Sequence, residues 1–309
     1  MTQFVASLLL VPALALAQQP SKPQPPRPKV RSHVAILDLK GREKVVYSAD
    51  KLFEAPNWSP DGKYLLLNSG GKLWKLSVSG GQPVEVDSGT ISRVNNDHGI
   101  SPDGKTFVIS AGQMYTLPSS GGTPKQITNA TPSYYHGWSP DGKTLAFCAQ
   151  RNGNFDLFGI PVGGGEEQRL TSHAGYDDGP DYSPDGKWIY FNSDRSGSWD
   201  VWRIPASGGG PDDKLAERIT SDDMEDWFPH PSPDSKWYVI VSFPKGTKGH
   251  PANQNVQLRL MPTLKDGKPD VSKIRVLKSV FGGQGTINVN SWAPDSRRFA
   301  FVRYEILPN

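Results

Sequence analysis

Trp138-Ser139-Pro140-Asp141-Gly142-Lys143 is the stretch that decides the fold, because the sequence keeps returning to it. Whole copies stand at 58–63, 100–105 and 182–187. Two weaker copies stand at 231–236 and 292–297, where serine replaces the glycine and, in the last, alanine replaces the first serine. Counted between these serines, with Ala293 for the last, the spacings are 42, 38, 44, 49 and 61 residues. Such a period matches the roughly 40–50 residues of a four-stranded propeller blade, with an insertion in the fifth unit.

Turn chemistry explains the motif. Proline presets φ for the first central position of a turn, aspartate suits the second, and glycine supplies positive φ after them. Apolar residues then alternate, as in Leu65 and Leu67, Phe107 and Ile109, Leu145 and Phe147, Ile189 and Phe191. Period two predicts a strand. A third strand follows (LWKLSV, MYTLP, FDLFGIPV, WDVWRIP), then a glycine-rich turn and a fourth strand (PVEV, KQIT, QRLT, ERIT). Each unit thus holds strand a before the turn, then b, c and d. The last motif supplies strands a (287–292) and b (298–304), and VAILDL (34–39) with EKVVY (43–47) supplies c and d. The predicted fold is an all-β, six-bladed β-propeller of four-stranded blades over 30–309. Its last blade is closed by the N-terminal strands, which removes open sheet edges.

Composition agrees. The 309 residues include 32 glycines and 28 prolines, too many breakers for a helical bundle. Lys and Arg number 34 against 31 Asp and Glu, a balance that excludes a dedicated nucleic-acid binder. Cys148 is the single cysteine, which excludes an internal disulfide and a multi-cysteine zinc site. It falls in a predicted strand and reads as buried and inert.

Residues 4–16, FVASLLLVPALAL, form a short apolar run followed by small residues at Ala15 and Ala17. That pattern predicts a signal peptide over 1–17, too short to span a bilayer, and hence a periplasmic or secreted protein. Residues 18–29 are Pro-rich and polar and read as a disordered leader. No other apolar stretch is long enough for a transmembrane helix, so none is expected in the mature chain.

The repeated Ser-Pro-Asp-Gly turn and its spacing resemble the TolB-like propeller family, also called PD40 or WD40-like repeats. The resemblance covers 30–309 without the α/β domain that precedes the propeller in TolB. It implies a six-bladed propeller and, in TolB itself, work in the Tol–Pal envelope system. The same resemblance extends to oligogalacturonate lyases and to gating domains of some peptidases.

Propeller geometry sorts the loops onto two ends. The near-identical Ser-Pro-Asp-Gly turns read as the plain end. The other end carries the d–a crossovers and b–c loops, and there the candidates collect: Glu54, Asp97, His98, Tyr135, His136, Asp178, Trp227, His230 and Asn288. Arg151 and Arg195 follow strand b in two blades. His250 lies in the least repeat-like segment, FPKGTKGHPANQN (243–255), the b–c loop of blade five. A concave mouth ringed by such groups is the default ligand site.

Two functions fit this ring. One is a non-enzymatic module that binds an envelope or extracellular protein, or a glycan, as a monomer. The other is a carbohydrate-active enzyme, a polysaccharide lyase or hydrolase, using His98, His136, Asp178 and His230 as catalytic groups. His98, His136 and His230 are also the candidate ligands for a divalent metal (manganese, calcium or zinc) in the channel, the cofactor that such a ring admits.

Overall fold

A computed structural model describes residues 28–308. The predicted signal peptide, most of the leader and Asn309 lie outside the described residues. From Val30 onward the chain forms six antiparallel sheets arranged as blades around a central channel.

Blade one pairs Glu54–Trp58, Tyr64–Ser69, Lys72–Ser77 and Val84–Val86 in that order, from the channel outward. Blades two to five repeat this order, with inner strands His98–Ile100, Ser133–Trp138, Asp177–Tyr182 and Glu225–Pro231. Second strands carry the core, and Leu65, Leu67, Phe107, Phe147, Phe191 and Val241 are fully buried between blades. Burial of such side chains contributes about 1.5–3 kcal/mol each.

The turn works as its chemistry requires. The Ser59 hydroxyl donates to Asp61 Oδ1 (2.7 Å) and accepts from the Tyr64 N–H (3.0 Å), while the Lys63 N–H donates to Asp61 (3.1 Å). Gly62 takes φ +75° at the place where an L side chain is strained. The same serine–aspartate bond recurs at Ser101, Ser139, Ser183 and Ser232. In the two weak copies Ser235 and Ser296 carry the positive φ, and the Ser296 hydroxyl accepts from the Asp234 N–H (3.0 Å).

Blade six closes as expected. Val30–Asp38 pairs with Arg298–Ile306 along nine residues, and Glu43–Ala49 adds outside it. Its inner strand departs from the expectation. Residues 287–292 follow a 3-10 turn (Gln284–Thr286) and touch their own blade through one bridge, Trp292 to Phe299. The reason is visible in the side chains: Asn288 and Asn290 reach across the channel to blades two and four.

The extra length of blade five divides between two places. One is the b–c loop 244–253. The other is the c–d connection 263–274, which leads into a long outer strand, Arg275–Gly282.

Candidate functional site

In blades one, three, four and five the inner strand carries a register shift just before the motif. The extra residue re-aims the next side chains toward the channel. Positive φ at Ala55, Gly179 and Phe228 marks the shift in blades one, four and five. Most candidates therefore lie within inner strands, buried in the channel, rather than in exposed crossovers.

The crossover end of the channel is filled by a knot of polar groups. His136 Nε2 lies 3.2 Å from Asp178 Oδ1 and 3.8 Å from Asp97 Oδ1. His250 Nε2, from the blade-five loop, lies 3.4 Å from Asp178 Oδ2. Asn288 donates to Asp97 Oδ1 (2.6 Å) and to the Asn96 carbonyl (3.1 Å). The Gly179 N–H donates to Asp178 Oδ1 (2.7 Å). The His250 ring sits edge-on to Trp227 at 4.4 Å, so the loop is pinned over this end by a charge and an aromatic contact.

Electrostatics follow from the packing. Burial by itself raises the Asp178 carboxyl, but hydrogen bonds from His136 and His250 outweigh it and hold the group far below the usual carboxylate range. Burial lowers His136, yet Asp178 and Asp97 overcome that and raise it above its ordinary value. Burial dominates at Asp97, whose carboxyl is raised. His98 stands apart: its Nε2 is 3.4 Å from the Leu66 carbonyl, and burial lowers its pKa to about 4.

The remaining candidates are structural in their contacts. Arg195 is buried against Asp177 (2.7 Å) and Asp213 (3.1 Å). Arg151 pairs with Glu167 (3.0 Å) and donates to the Pro132 carbonyl (2.9 Å). Each arginine ties the first strand of its blade to the segment before the last. Trp227 is wholly buried against Trp199, with ring centroids 3.9 Å apart, and offers no open face. Glu54 accepts from the Asn68 amide at 3.3 Å.

His98, His136 and His230 do not converge on a common point. Among the described residues no three His, Cys, Asp or Glu side chains are arranged to hold a metal ion.

The opposite end of the channel is open. A cavity of about 350 Å³ lies between the Ser-Pro-Asp-Gly turns, in the end that the sequence marks as plain. Its rim is built from the motif prolines Pro60, Pro102, Pro233 and Pro294, and its wall from Trp58, Trp138 and Trp292. Its floor holds Asn57, Tyr135, His136, Asp181 and Asn290. Of the twelve ligand-binding candidates, only Tyr135 and His136 line it.

His230 stands behind this floor. Its Nδ1 is 2.9 Å from Asp181 Oδ2, and its Nε2 is 3.2 Å from the Ile287 carbonyl. Asn290 donates to the same Asp181 oxygen at 2.9 Å. The Tyr135 phenol lies over Gly99 of the next blade, where an added Cβ would meet its oxygen at 2.3 Å. Burial pushes that phenol well up in pKa, so it remains protonated.

Two grooves on the crossover face flank the blade-five loop, one beside Trp199 and Lys248, the other beside Lys51 and Asn253. Neither is lined by a channel histidine.

Sequence reasoning missed the wall and most of the floor. The signal was present: of the residues before the motif serine (Trp58, Ile100, Trp138, Tyr182, Pro231) and, in the last copy, before Ala293 (Trp292), four (Trp58, Ile100, Trp138 and Trp292) line the cavity. Its repetition reads as structural, although a ring of such positions also frames a mouth.

Comparison with known proteins gives the family. The TolB β-propeller domain family matches residues 125–273. A curated relative from Agrobacterium fabrum, described only as uncharacterized, is 46% identical over 287 residues, 90% of this chain and 94% of the relative. A solved structure named "putative TolB" from Agrobacterium tumefaciens shares 46% identity with a TM-score of 0.83, covering 90% of this chain and 99% of that one. TolB from Acinetobacter baumannii has the same fold at 20% identity and a TM-score of 0.58, over 78% of this chain and 64% of that one. Among the described residues no helix is long and apolar enough to cross a membrane. Six phased Ser-Pro-Asp-Gly units, the sheet order and these relatives lead to one conclusion: the chain belongs to the TolB-like β-propeller family.

Proposed function

We propose that this is an exported, non-enzymatic binding module that holds a segment of a partner protein in the funnel between the Ser-Pro-Asp-Gly turns. The observation that carries this reading is the cavity itself, with its tryptophan and proline wall and polar floor. Its size lies at the small end of the roughly 300–1,000 Å³ of ligand pockets, room for one or two side chains of a longer segment. Buried aromatic walls with a few fixed polar groups are the usual form of a protein hot spot. The crossover end, by contrast, spends its charged groups on one another. The signal-like N-terminus supports export to the periplasm or beyond the cell, where an envelope protein would be the partner.

Selection of displayed random peptides against the purified chain tests the reading. Peptides that enrich should lose binding to Trp138→Ala and keep it to Lys248→Glu on the crossover face. Peptides with the reverse dependence, or no enrichment at all, would overturn it.

A further inference from the structure

The floor of the funnel is uneven in its hydrogen bonding. Its side-chain amide donors are already used. The Asn57 amide donates to the Asn290 carbonyl (2.5 Å), and the Asn290 amide donates to Asp181 Oδ2 (2.9 Å) and the Pro231 carbonyl (3.2 Å). In the wall, the Trp292 indole N–H donates to the His230 carbonyl (3.0 Å), while the Trp58 and Trp138 indole N–H groups are buried with no partner among the described residues. On the floor itself it is acceptors that are left over. Asn57 Oδ1 is buried with no partner among the described residues. Both bonds to Asp181, from His230 and Asn290, arrive at Oδ2, which leaves Oδ1 of this cavity-lining residue without a protein donor. The Tyr135 hydroxyl, held over Gly99, stands beside them.

Charge points the same way. One carboxylate lines the cavity and no lysine or arginine does; the imidazole in the lining, His136, turns its Nε2 to Asp178 at 3.2 Å. Below it the channel holds Asp97 and Asp178, again with no lysine or arginine among their ion-pair partners. A buried acceptor without a donor costs about 1–3 kcal/mol, so the free floor favours an incoming donor. The walls favour a cation as well, because tryptophan faces attract positive charge; the chain's own Arg298 already lies 5.3 Å from the Trp58 ring centroid, which leaves Trp138 and Trp292 for an incoming group.

We propose that the funnel is an arginine-anchor site: a partner segment inserts one guanidinium between Trp138 and Trp292 and donates to Asp181 Oδ1, Asn57 Oδ1 and the Tyr135 oxygen. This rests on the protein-segment reading above and names its anchor. Arginine suits the site better than lysine. Its planar group stacks on indoles and presents five N–H donors in a fixed fork to several acceptors, whereas an ammonium is a hydrated point charge. The anionic alternatives, a phosphate or a carboxylate, would face lone pairs at Asp181 Oδ1 and Asn57 Oδ1 and could take a donor only from the Tyr135 hydroxyl.

The test uses the full chain and three capped tripeptides, acetyl-Gly-Xaa-Gly-amide, with arginine, lysine or citrulline at the centre. Citrulline keeps the shape of arginine and lacks its charge. Binding is read from the indole N–H resonances of Trp58, Trp138 and Trp292, assigned by Trp→Phe variants. The arginine peptide should shift them, and the citrulline peptide should bind at least about tenfold more weakly, as expected when a charged hydrogen bond is lost. Lysine should fall between the two. Tyr135→Phe should weaken arginine by about threefold, the effect of one neutral hydrogen bond. Asp181→Asn should abolish the preference for arginine over citrulline. If that variant does not fold, added salt should weaken the arginine and lysine peptides and leave citrulline unchanged. Equal binding of arginine and citrulline, or equal salt response, overturns the anchor and leaves the funnel a peptide site. No shift from any tripeptide also overturns the anchor, and the wider reading then stands or falls on the selected peptides.

Discussion

The two ends of one channel differ more than six similar blades would suggest. At the crossover end the charged groups Asp97, Asp178, His136 and His250 pair with one another under a loop, while His136 Nδ1 and Asn288 Oδ1 stay buried with no partner among the described residues. At the turn end Asp181 and Asn57 keep acceptors unspent, and indoles stand around them. Both ends are rich in the residue types that mark functional sites. What separates them is that the crossover end is covered by a loop, whereas the unpartnered acceptors of the turn end belong to residues that line an open cavity. A covered network of paired charges stabilises and specifies a structure, whereas unpartnered acceptors under an open aromatic wall are the feature on which the proposed binding site rests.

The strongest way to break this contrast is to open the closed end by mutation. Asp178→Ala removes the shared partner of His136 and His250 and strands a buried imidazole. The expected loss is about 3–5 kcal/mol in denaturant unfolding, the range for breaking one side of a buried ion pair. A loss under about 1 kcal/mol, typical of exposed pairs, would show that the knot is not closed.

Acid sharpens the contrast next. His98 is buried as the neutral form, with its pKa lowered to about 4. The unfolded chain takes up this proton below about pH 6.5, and the folded chain does so only near pH 4. Stability should therefore fall as pH drops through that window, by about 3 kcal/mol from this one group. Urea midpoints for the wild type and His98→Gln at pH 7 and pH 4.5 check it, and the variant should lose part of the acid sensitivity. An equal response in both would assign the sensitivity to other groups.

A smaller effect comes from the loop. Replacing 244–253 by a short glycine turn should leave the propeller folded, because this loop lies outside every blade strand. It should uncover the region around Cys148, whose thiol donates to the Asp177 carbonyl (3.2 Å) beside the knot. Cys148 is the chain's one cysteine, so alkylation under native conditions reads it alone. The rate should rise about tenfold, equivalent to about 1.4 kcal/mol of local protection. Collapse on replacement would contradict the placing of this segment as an insertion.

The smallest effect belongs to the rim. Ser59→Ala removes the hydroxyl that bridges Asp61 and the Tyr64 N–H, at an expected cost of about 1 kcal/mol. Blade six already has Ala293 at this place. A cost near zero would mean that proline and glycine hold the turn without it.

The fold was legible because its determinants are local and repeated. Proline at 60, 102, 140, 184, 233 and 294 fixes the turns, and period-two alternation after each fixes the second strands. Closure was legible because 34–39 and 43–47 had no motif of their own to follow. The irregular inner segment of blade six was not, since what bends it is the reach of Asn288 and Asn290 to Asp97 and Asp181, 191 and 109 residues away. The polar groups of the channel were legible in composition, and their partners were not. Histidines and aspartates at the crossover end stand out in the sequence, but their mutual pairing depends on contacts between blades. The tryptophans of the repeat stand out less, because repetition reads as scaffold. Arg195 shows the same limit: its two aspartates lie at 177 and 213, and only the folded blade brings them to it.

The most direct test of the central claim is to close each mouth in turn. In a Cys148→Ala background, Pro102→Cys at the funnel rim and Lys248→Cys on the loop are each capped with a bulky maleimide, and binding of a selected peptide is measured by calorimetry. The account predicts that the cap at 102 abolishes binding and the cap at 248 leaves it unchanged. Loss of binding from the cap at 248 alone would contradict it.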